Sequence, residues 1–159
     1  ALVELVMNPI LNIPGFRGKR DRVIWILGAT DALEGQLARE GVFDDANAFS
    51  EASLVIFLIG DGGFTGAWPC GSAAKVYACT SADMRAGKAP MPMMVFAFHT
   101  GIGTLEPAKL NAWLPDIMGL LVQQFEAVIP MVLTSRCEEE VRGERALLDL
   151  LGAHICMPS

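Results

Sequence analysis

Hydrophobic and polar positions alternate in blocks along this chain, and the clearest block covers residues 89–135. An uncharged run at 93–98 predicts a buried strand, and the turn residues at 99–103 end it. Apolar side chains then recur at spacings of three and four, which predicts an amphipathic helix. This stripe consists of Leu110, Trp113, Leu114, Ile117, Met118, Leu121 and Phe125. A second apolar run at 127–133 predicts a strand, and the absence of a hairpin signal predicts parallel pairing with a right-handed crossover.

The amino-terminal half repeats this pattern. Apolar runs at 23–27 and 54–59 predict two strands, of which the second is central, and 75–80 predicts a shorter strand at an edge. Between the first two we expect a helix that Gly41 ends, with Leu33 and Leu37 facing the core. Asp31 with Glu34 forms a capping-box pair, and Thr30 is an alternative cap. Residues 44–52 indicate a loop or one helical turn, and 81–88 indicate a polar connection.

The carboxy-terminal part predicts helices with clear ends. Pro107 suits the first turn of the central helix, and Pro115 predicts either a kink or two short helices. Ser135 and Glu138 form a second capping-box pattern, and the acidic residues at 138–140 complement the helix dipole. The inner face of this last helix comprises Val141, Leu147, Leu148 and Leu151, and Gly152 ends it. Residues 153–157 predict a last strand.

Five or six strands that alternate with helices specify an α/β sandwich with a mostly parallel sheet. We assign residues 23–159 to a single domain. Residues 1–22 are apolar but have no sustained period, and prolines and glycines interrupt them. We therefore expect an irregular arm there, lying over the domain or over a neighbour.

Composition narrows the possible partners. The chain is 52% hydrophobic and only 19% charged, with a mean hydropathy of +0.40, which fits a sheet buried on both faces or a surface covered in a larger assembly. A net charge of −6 argues against direct nucleic acid binding. One short basic cluster is either a solvated segment before the first strand or a contact for an acidic partner or lipid head groups. It comprises Arg17, Lys19, Arg20 and Arg22. The apolar runs are too short for a transmembrane helix.

Cysteine and histidine usage predicts no metal site. The four cysteines, Cys70, Cys79, Cys137 and Cys156, form no close pair, and the only histidines are His99 and His154. Scattered cysteines in a chain of low charge are typical of small buried side chains in a reducing compartment, with a disulfide between strand neighbours as the alternative.

The glycine loop G-D-G-G-F-T-G at 60–66 is the first candidate ligand site. It follows an apolar strand, and the bare backbone at Gly60, Gly62 and Gly66 could cradle a phosphate. A nucleotide loop requires a helix immediately afterwards, but Pro69 and Gly71 interrupt one. A surface loop is the competing interpretation.

Two further candidates follow strands. The segment L-G-A-T-D-A-L-E at 27–34 lies where a methyltransferase-like domain binds S-adenosylmethionine, but Gly28 is its only glycine and Ala29 and Thr30 would crowd the ligand. His99 ends a strand and is either a general base or a packed residue. No serine or cysteine has a visible base beside it, so we predict no catalytic residue, no cofactor and no metal, with Gly28, Gly60, Gly62 and His99 as the weak cofactor candidates.

Taken together, these motifs resemble the C-terminal domain of the mitochondrial splicing suppressor family, which is found in many MYND-type zinc-finger proteins. The matching segments are V-I-W-I-L-G-A-T-D-A-L-E, S-L-V-I-F-L-I-G, F-H-T-G-I-G, Trp113 with Pro115, and V-L-T-S-R-C-E-E-E. The resemblance runs from Val23 to the end, and it implies a degenerate, methyltransferase-like Rossmann fold without an intact cofactor loop. The dense Cys/His array of a MYND finger is missing from this chain.

The resemblance also implies a role in organelle gene expression, such as translational activation in mitochondria, and in protein–protein contacts. We therefore expect a non-catalytic structural or interaction subunit of a larger complex in the mitochondrion or, alternatively, the plastid. Its partners would be other protein subunits, with contact to a membrane surface as a further option. The alternatives are an S-adenosylmethionine-dependent methyltransferase-like enzyme and an organelle translation or assembly factor.

Overall fold

The structure is a computed structural model that describes residues 22–45, 53–61, 63–123 and 129–153. Within these residues, five strands form one sheet in the order β3-β2-β1-β4-β5, and all of them run parallel. They are β1 (Arg22–Leu27), β2 (Leu54–Ile59), β3 (Lys75–Cys79), β4 (Met94–Phe98) and β5 (Met131–Thr134). This order and the helices between the strands confirm the predicted Rossmann-like three-layer α/β fold.

In the described residues, three α-helices lie between strands, and they are α1 (Gln36–Arg39), α2 (Ser81–Arg85) and α3 (Pro107–Gln123). A fourth, α4 (Glu138–Leu150), follows β5. A π turn (Asp31–Gly35) leads into α1, and a 3-10 turn (Ile102–Thr104) follows β4. The described residues form two compact units, which divide between Met94 and Val95. The predicted arm before Arg22 and the predicted last strand beyond Ala153 lie outside the described residues.

The first unit is built on β1 and β2, which pair in register from Arg22 with Leu54 to Leu27 with Ile59. Their side chains are apolar at nearly every position because both faces of the sheet are covered. Trp25 is only 1% exposed, and its indole Nε1–H donates to the carbonyl of Pro90 at 3.0 Å. β3 pairs with the outer side of β2 and is the edge strand that the sequence predicts.

The region around α1 differs from its prediction. Gly35 N–H donates to the carbonyl of Thr30, five residues back, so the segment opens as a π turn. Thr30 is the cap, and its own N–H donates to Glu34 Oε2 at 2.9 Å. The capping pair of Asp31 with Glu34 is therefore wrong. So is the inward placement of Leu33, which is 58% exposed because a π turn does not keep side chains spaced three and four apart on one face.

Two other local predictions are wrong. The supposed polar connection at 81–88 contains helix α2, capped by Thr80, whose hydroxyl oxygen accepts the N–H of Asp83 at 3.0 Å. The cap of α4 is Cys137, and Ser135 does not cap it because its hydroxyl donates to Glu144 instead. The acidic first turn of α4 is as predicted, with Glu138, Glu139 and Glu140 at the positive end of the dipole.

The second unit packs α4 against the 3-10 turn after β4. A Cβ atom added to Gly143 would lie 1.9 Å from the carbonyl oxygen of Gly103, and one added to Gly103 would lie 1.9 Å from that of Glu140. The two backbones therefore touch directly. α3 is one helix with Pro115 inside it, so the alternative of two short helices is wrong. Pro115 is exposed, so the backbone hydrogen bond that its missing N–H removes is lost on the solvent side of the helix.

Candidate functional site

The segment after β1 is where doubly wound sheets usually bind a ligand. Gly28 turns there with a φ of 69°, and Ala29 is buried behind it. The N–H of Ala29 donates to the carbonyl of Ile59 at 3.0 Å. A Cβ atom added to Gly60 would lie 2.1 Å from the carbonyl oxygen of Ala29. The ends of β1 and β2 therefore meet backbone to backbone, with no room for a side chain between them.

A polar cluster of Asp31, Arg39 and Thr65, named here the Asp31 cluster, ties the glycine loop to this segment. Asp31 Oδ1 accepts from Arg39 Nη1 at 2.7 Å and from Thr65 N–H at 3.1 Å, and Oδ2 accepts the Thr65 hydroxyl at 2.7 Å. Arg39 Nη1 also donates to the carbonyl of Thr65 at 3.1 Å. The Asp31 side chain is 20% exposed, and its carboxylate binds groups of its own chain. The Arg39 guanidinium and then the Thr65 hydroxyl lower the pKa of Asp31 to about 2.

Acid should release the Asp31 cluster. The pKa of Asp31 is lower in the folded state than its ordinary value of 3.8, so its contribution to stability is complete above that value. The contribution is lost as pH falls from about 4 to about 2. We expect urea unfolding to show Asp31→Asn less stable than the unmodified chain at neutral pH, and the difference to vanish toward pH 2. A difference that stays constant over this range would contradict the assignment.

Aromatic packing holds the same loop in place. The rings of Phe64 and Trp68 meet edge to face with centroids 5.8 Å apart, and the Arg39 guanidinium lies 6.0 Å from the Trp68 centroid. Residues 67–74 form no helix before β3 begins, so the loop lacks the helix that a nucleotide-binding loop requires.

The four weak cofactor candidates of the sequence fall in different places. Gly28 and Gly60 are neighbours at the ends of β1 and β2, whereas Gly62 lies outside the described residues. His99 belongs to the second unit, where it follows β4 with a φ of 49°. Its N–H donates to the carbonyl and hydroxyl oxygens of Thr134, both at 3.0 Å, so its backbone joins the ends of β4 and β5.

A buried carboxyl group lies in the second unit, at a position that helical spacing from Val141 and Leu148 places on the inner face of α4. Glu144 of α4 is 5% exposed and accepts the Thr100 hydroxyl at 2.8 Å and the Ser135 hydroxyl at 2.5 Å. We call these three residues the Glu144 network. Thr100 follows β4 and Ser135 follows β5, so one carboxylate links the ends of two strands to the helix. Such satisfied buried groups stabilise a specific arrangement of elements.

Glu144→Ala should lower the free energy of unfolding by about 2–3 kcal/mol, because the Thr100 hydroxyl, 2% exposed, then has no acceptor and no access to water. Glu144→Gln keeps one acceptor oxygen and should cost less. The matched control is Arg145→Ala, an exposed neighbour on α4 that should change stability by no more than about 0.5 kcal/mol. Urea unfolding measures all three, and equal stability of the Glu144→Ala and Arg145→Ala variants would contradict the role of the network.

Cys70 and Cys79 show no sign of an activated thiol. Burial raises the pKa of Cys70 and of Cys79, and both thiols are half-buried and free. Cys137 is free and exposed, against the expectation of a buried side chain, while Cys156 lies outside the described residues. Within the described ranges, no cluster of three or more His, Cys, Asp or Glu side chains could hold a metal ion. None of the helices described is long and apolar enough to cross a membrane.

Comparison with known proteins does not assign the chain to a family. No protein-family model, no curated protein and no solved structure matches it.

Proposed function

We propose that this chain is a non-catalytic domain that contributes a structural or protein-interaction surface to a larger assembly. The observation that carries the proposal is the filled position after β1. Ala29 and Gly60 meet backbone to backbone, and Asp31 uses its carboxylate on Thr65 and Arg39. A cofactor-binding loop needs open backbone and unused polar groups at this place. The compartment in this proposal is the mitochondrion, or alternatively the plastid, on the resemblance to the mitochondrial splicing suppressor family.

The surface of α3 supports an interaction role. Lys109 is exposed near the start of α3, but one exposed side of the helix carries no charge. This side consists of Ala108, Asn111, Ala112, Pro115 and Met118. Exposed helix faces usually carry charged side chains, and depletion of charge is typical of the centre of an interface. Leu150, at the end of α4, is 84% exposed and adds an apolar side chain to the surface of the same unit.

Substitution on α3 tests the interaction role. We expect the tagged full chain, purified from mitochondria under native conditions, to elute in an assembly much larger than 17.1 kDa. Ala112→Glu and Met118→Glu place charge on the uncharged side and should release the chain as a monomer, because a buried unpaired charge is costly. Lys109→Glu, an exposed change off this side, is the control. Elution of the unmodified chain as a monomer would argue against the proposal. So would an assembly that both substitutions leave intact.

A methyltransferase-like enzyme is the second candidate, and the strand order favours it. The order β3-β2-β1-β4-β5 places a glycine turn, at Gly28, directly after the central strand β1. Calorimetric titration with S-adenosylmethionine separates the two candidates. Saturable binding that Gly28→Val abolishes would support the enzyme and overturn the non-catalytic proposal.

A further inference from the structure

The turn that precedes β3 concentrates backbone donors on a single carboxylate. The consecutive N–H groups of Ser72, Ala73 and Ala74 donate to Asp44 Oδ1 at 3.1, 2.8 and 2.9 Å. The Ser72 hydroxyl donates to Oδ2 at 2.6 Å, and the Ser72 N–H also reaches that oxygen at 3.1 Å. We call residues 72–74 the anion nest, because successive N–H groups that converge in this way form a concave site for an anion.

Glycines keep the space around the nest free of side chains. Gly71 has a φ of 89°, and a Cβ atom there would lie 2.1 Å from the carbonyl oxygen of Ala74 and 3.3 Å from Asp44 Oδ1. A Cβ atom at Gly41 would lie 3.3 Å from Oδ2. The Lys75 ammonium group donates to the carbonyl of Gly71 at 3.5 Å, so a cation flanks the site. Bare backbone, converging donors and a nearby positive charge are the features of a phosphate- or carboxylate-binding turn.

Asp44 is bound as an anion. The Ser72 hydroxyl and the N–H groups of Ala74 and Ser72 hold the pKa of its carboxyl well below its usual range. No lysine or arginine pairs with it in the part of the chain that the structure describes, so its charge is balanced by N–H and hydroxyl dipoles. An external phosphate or carboxylate group offers the same kind of oxygen atoms to the same donors.

We propose that the anion nest is an oxyanion-binding site that Asp44 closes in cis, and that a phosphate or carboxylate group enters when the Asp44 side chain rotates away. Rotation to another staggered χ1 position withdraws the carboxylate without moving the turn. Asp44 acts as a tethered competitor, and tethered groups have effective concentrations in the millimolar range. External anions therefore bind the unmodified chain weakly and bind a chain without the Asp44 carboxylate more strongly.

Titration with inorganic phosphate, followed by amide NMR, tests this site. We expect saturable shifts at the amides of Ser72, Ala73 and Ala74 in the unmodified chain, and at least about tenfold tighter binding in Asp44→Ala. Asp45→Ala removes the neighbouring exposed carboxylate and should behave like the unmodified chain. A parallel titration with acetate distinguishes a carboxylate ligand from a phosphate.

Three results would overturn the inference. The first is a folded Asp44→Ala variant without shifts at the nest, and the second is shifts that never saturate. The third is binding by the variant with no binding by the unmodified chain, because Asp44 would then be a permanent cap. If Asp44→Ala does not fold, Asp44→Asn replaces it, because the amide keeps the size of the side chain and removes the charge. The same outcomes then decide.

Discussion

Gly143→Ala should destabilise the protein by about 3 kcal/mol or more, because the new methyl group would lie 1.9 Å from the carbonyl oxygen of Gly103. The atoms nearest to the new methyl group belong to the backbone of Gly103, so no side chain can rotate to make room. α4 would have to move away from the 3-10 turn, and that movement would also stretch the Glu144 network. The measurement is equilibrium unfolding in urea, followed by circular dichroism.

The direction of the stability change in Gly143→Ala separates backbone contact from helix propensity. In the middle of an exposed helix, alanine is more stable than glycine by about 1 kcal/mol, so helix propensity alone predicts that Gly143→Ala stabilises the protein. Gly152→Ala is the control, since a Cβ atom there meets nothing within 4 Å and only its φ of 76° opposes alanine. It should cost about 1 kcal/mol. A Gly143→Ala variant as stable as the unmodified chain would show that α4 is not held by backbone contact.

Gly60→Ala should have a comparable effect in the first unit, with a loss of about 2–3 kcal/mol. Its methyl group would lie 2.1 Å from the carbonyl oxygen of Ala29, at the place where β1 and β2 end. The N–H of Gly60 also donates to the carbonyl of Cys79, so the backbone there is held from β3 as well. The segment after β1 cannot shift without losing the hydrogen bond from Ala29 to Ile59.

Gly63→Ala separates packing from backbone strain in the same loop. Nothing lies within 4 Å of a Cβ atom at Gly63, so its φ of 61° is the only obstacle to alanine. We expect about 1 kcal/mol for this control, clearly less than for Gly60→Ala. Urea unfolding measures both variants. Equal losses would mean that the ends of β1 and β2 are not in close contact, and the argument for a filled ligand position would fail.

The strands and their parallel pairing follow from the sequence because a parallel sheet buried on both faces requires continuous apolar runs. β1, β2 and β4 begin or end within one residue of their predicted bounds for this reason. β5 begins at Met131, four residues later than predicted, while residues 124–128 lie outside the described part. Helix faces were harder to predict: Leu33 fits a spacing of three and four, but that spacing loses its meaning in a π turn.

The polar clusters of the candidate site form through contacts between residues far apart in the sequence, which a local pattern cannot predict. Asp31 looks like a helix cap, yet its partner Thr65 lies 34 residues further on. Glu144 lies three residues after Val141 and four before Leu148, on the inner face of α4. Its partner Thr100, however, is 44 residues away, and no local pattern identifies it. A short polar side chain can cap its own helix or bind a distant loop, and only the tertiary structure decides between them. The missing glycines at Ala29 and Thr30, by contrast, are visible in the sequence and predict a crowded ligand position.

The central claim is that the chain's own atoms fill the position after β1 where a cofactor would bind. Amide NMR with S-adenosylmethionine tests it most directly, because the N–H groups of Gly28, Ala29 and Gly60 report on that position alone. We predict no saturable shift at these three amides. Saturable shifts there, lost in Gly28→Val, would contradict the account.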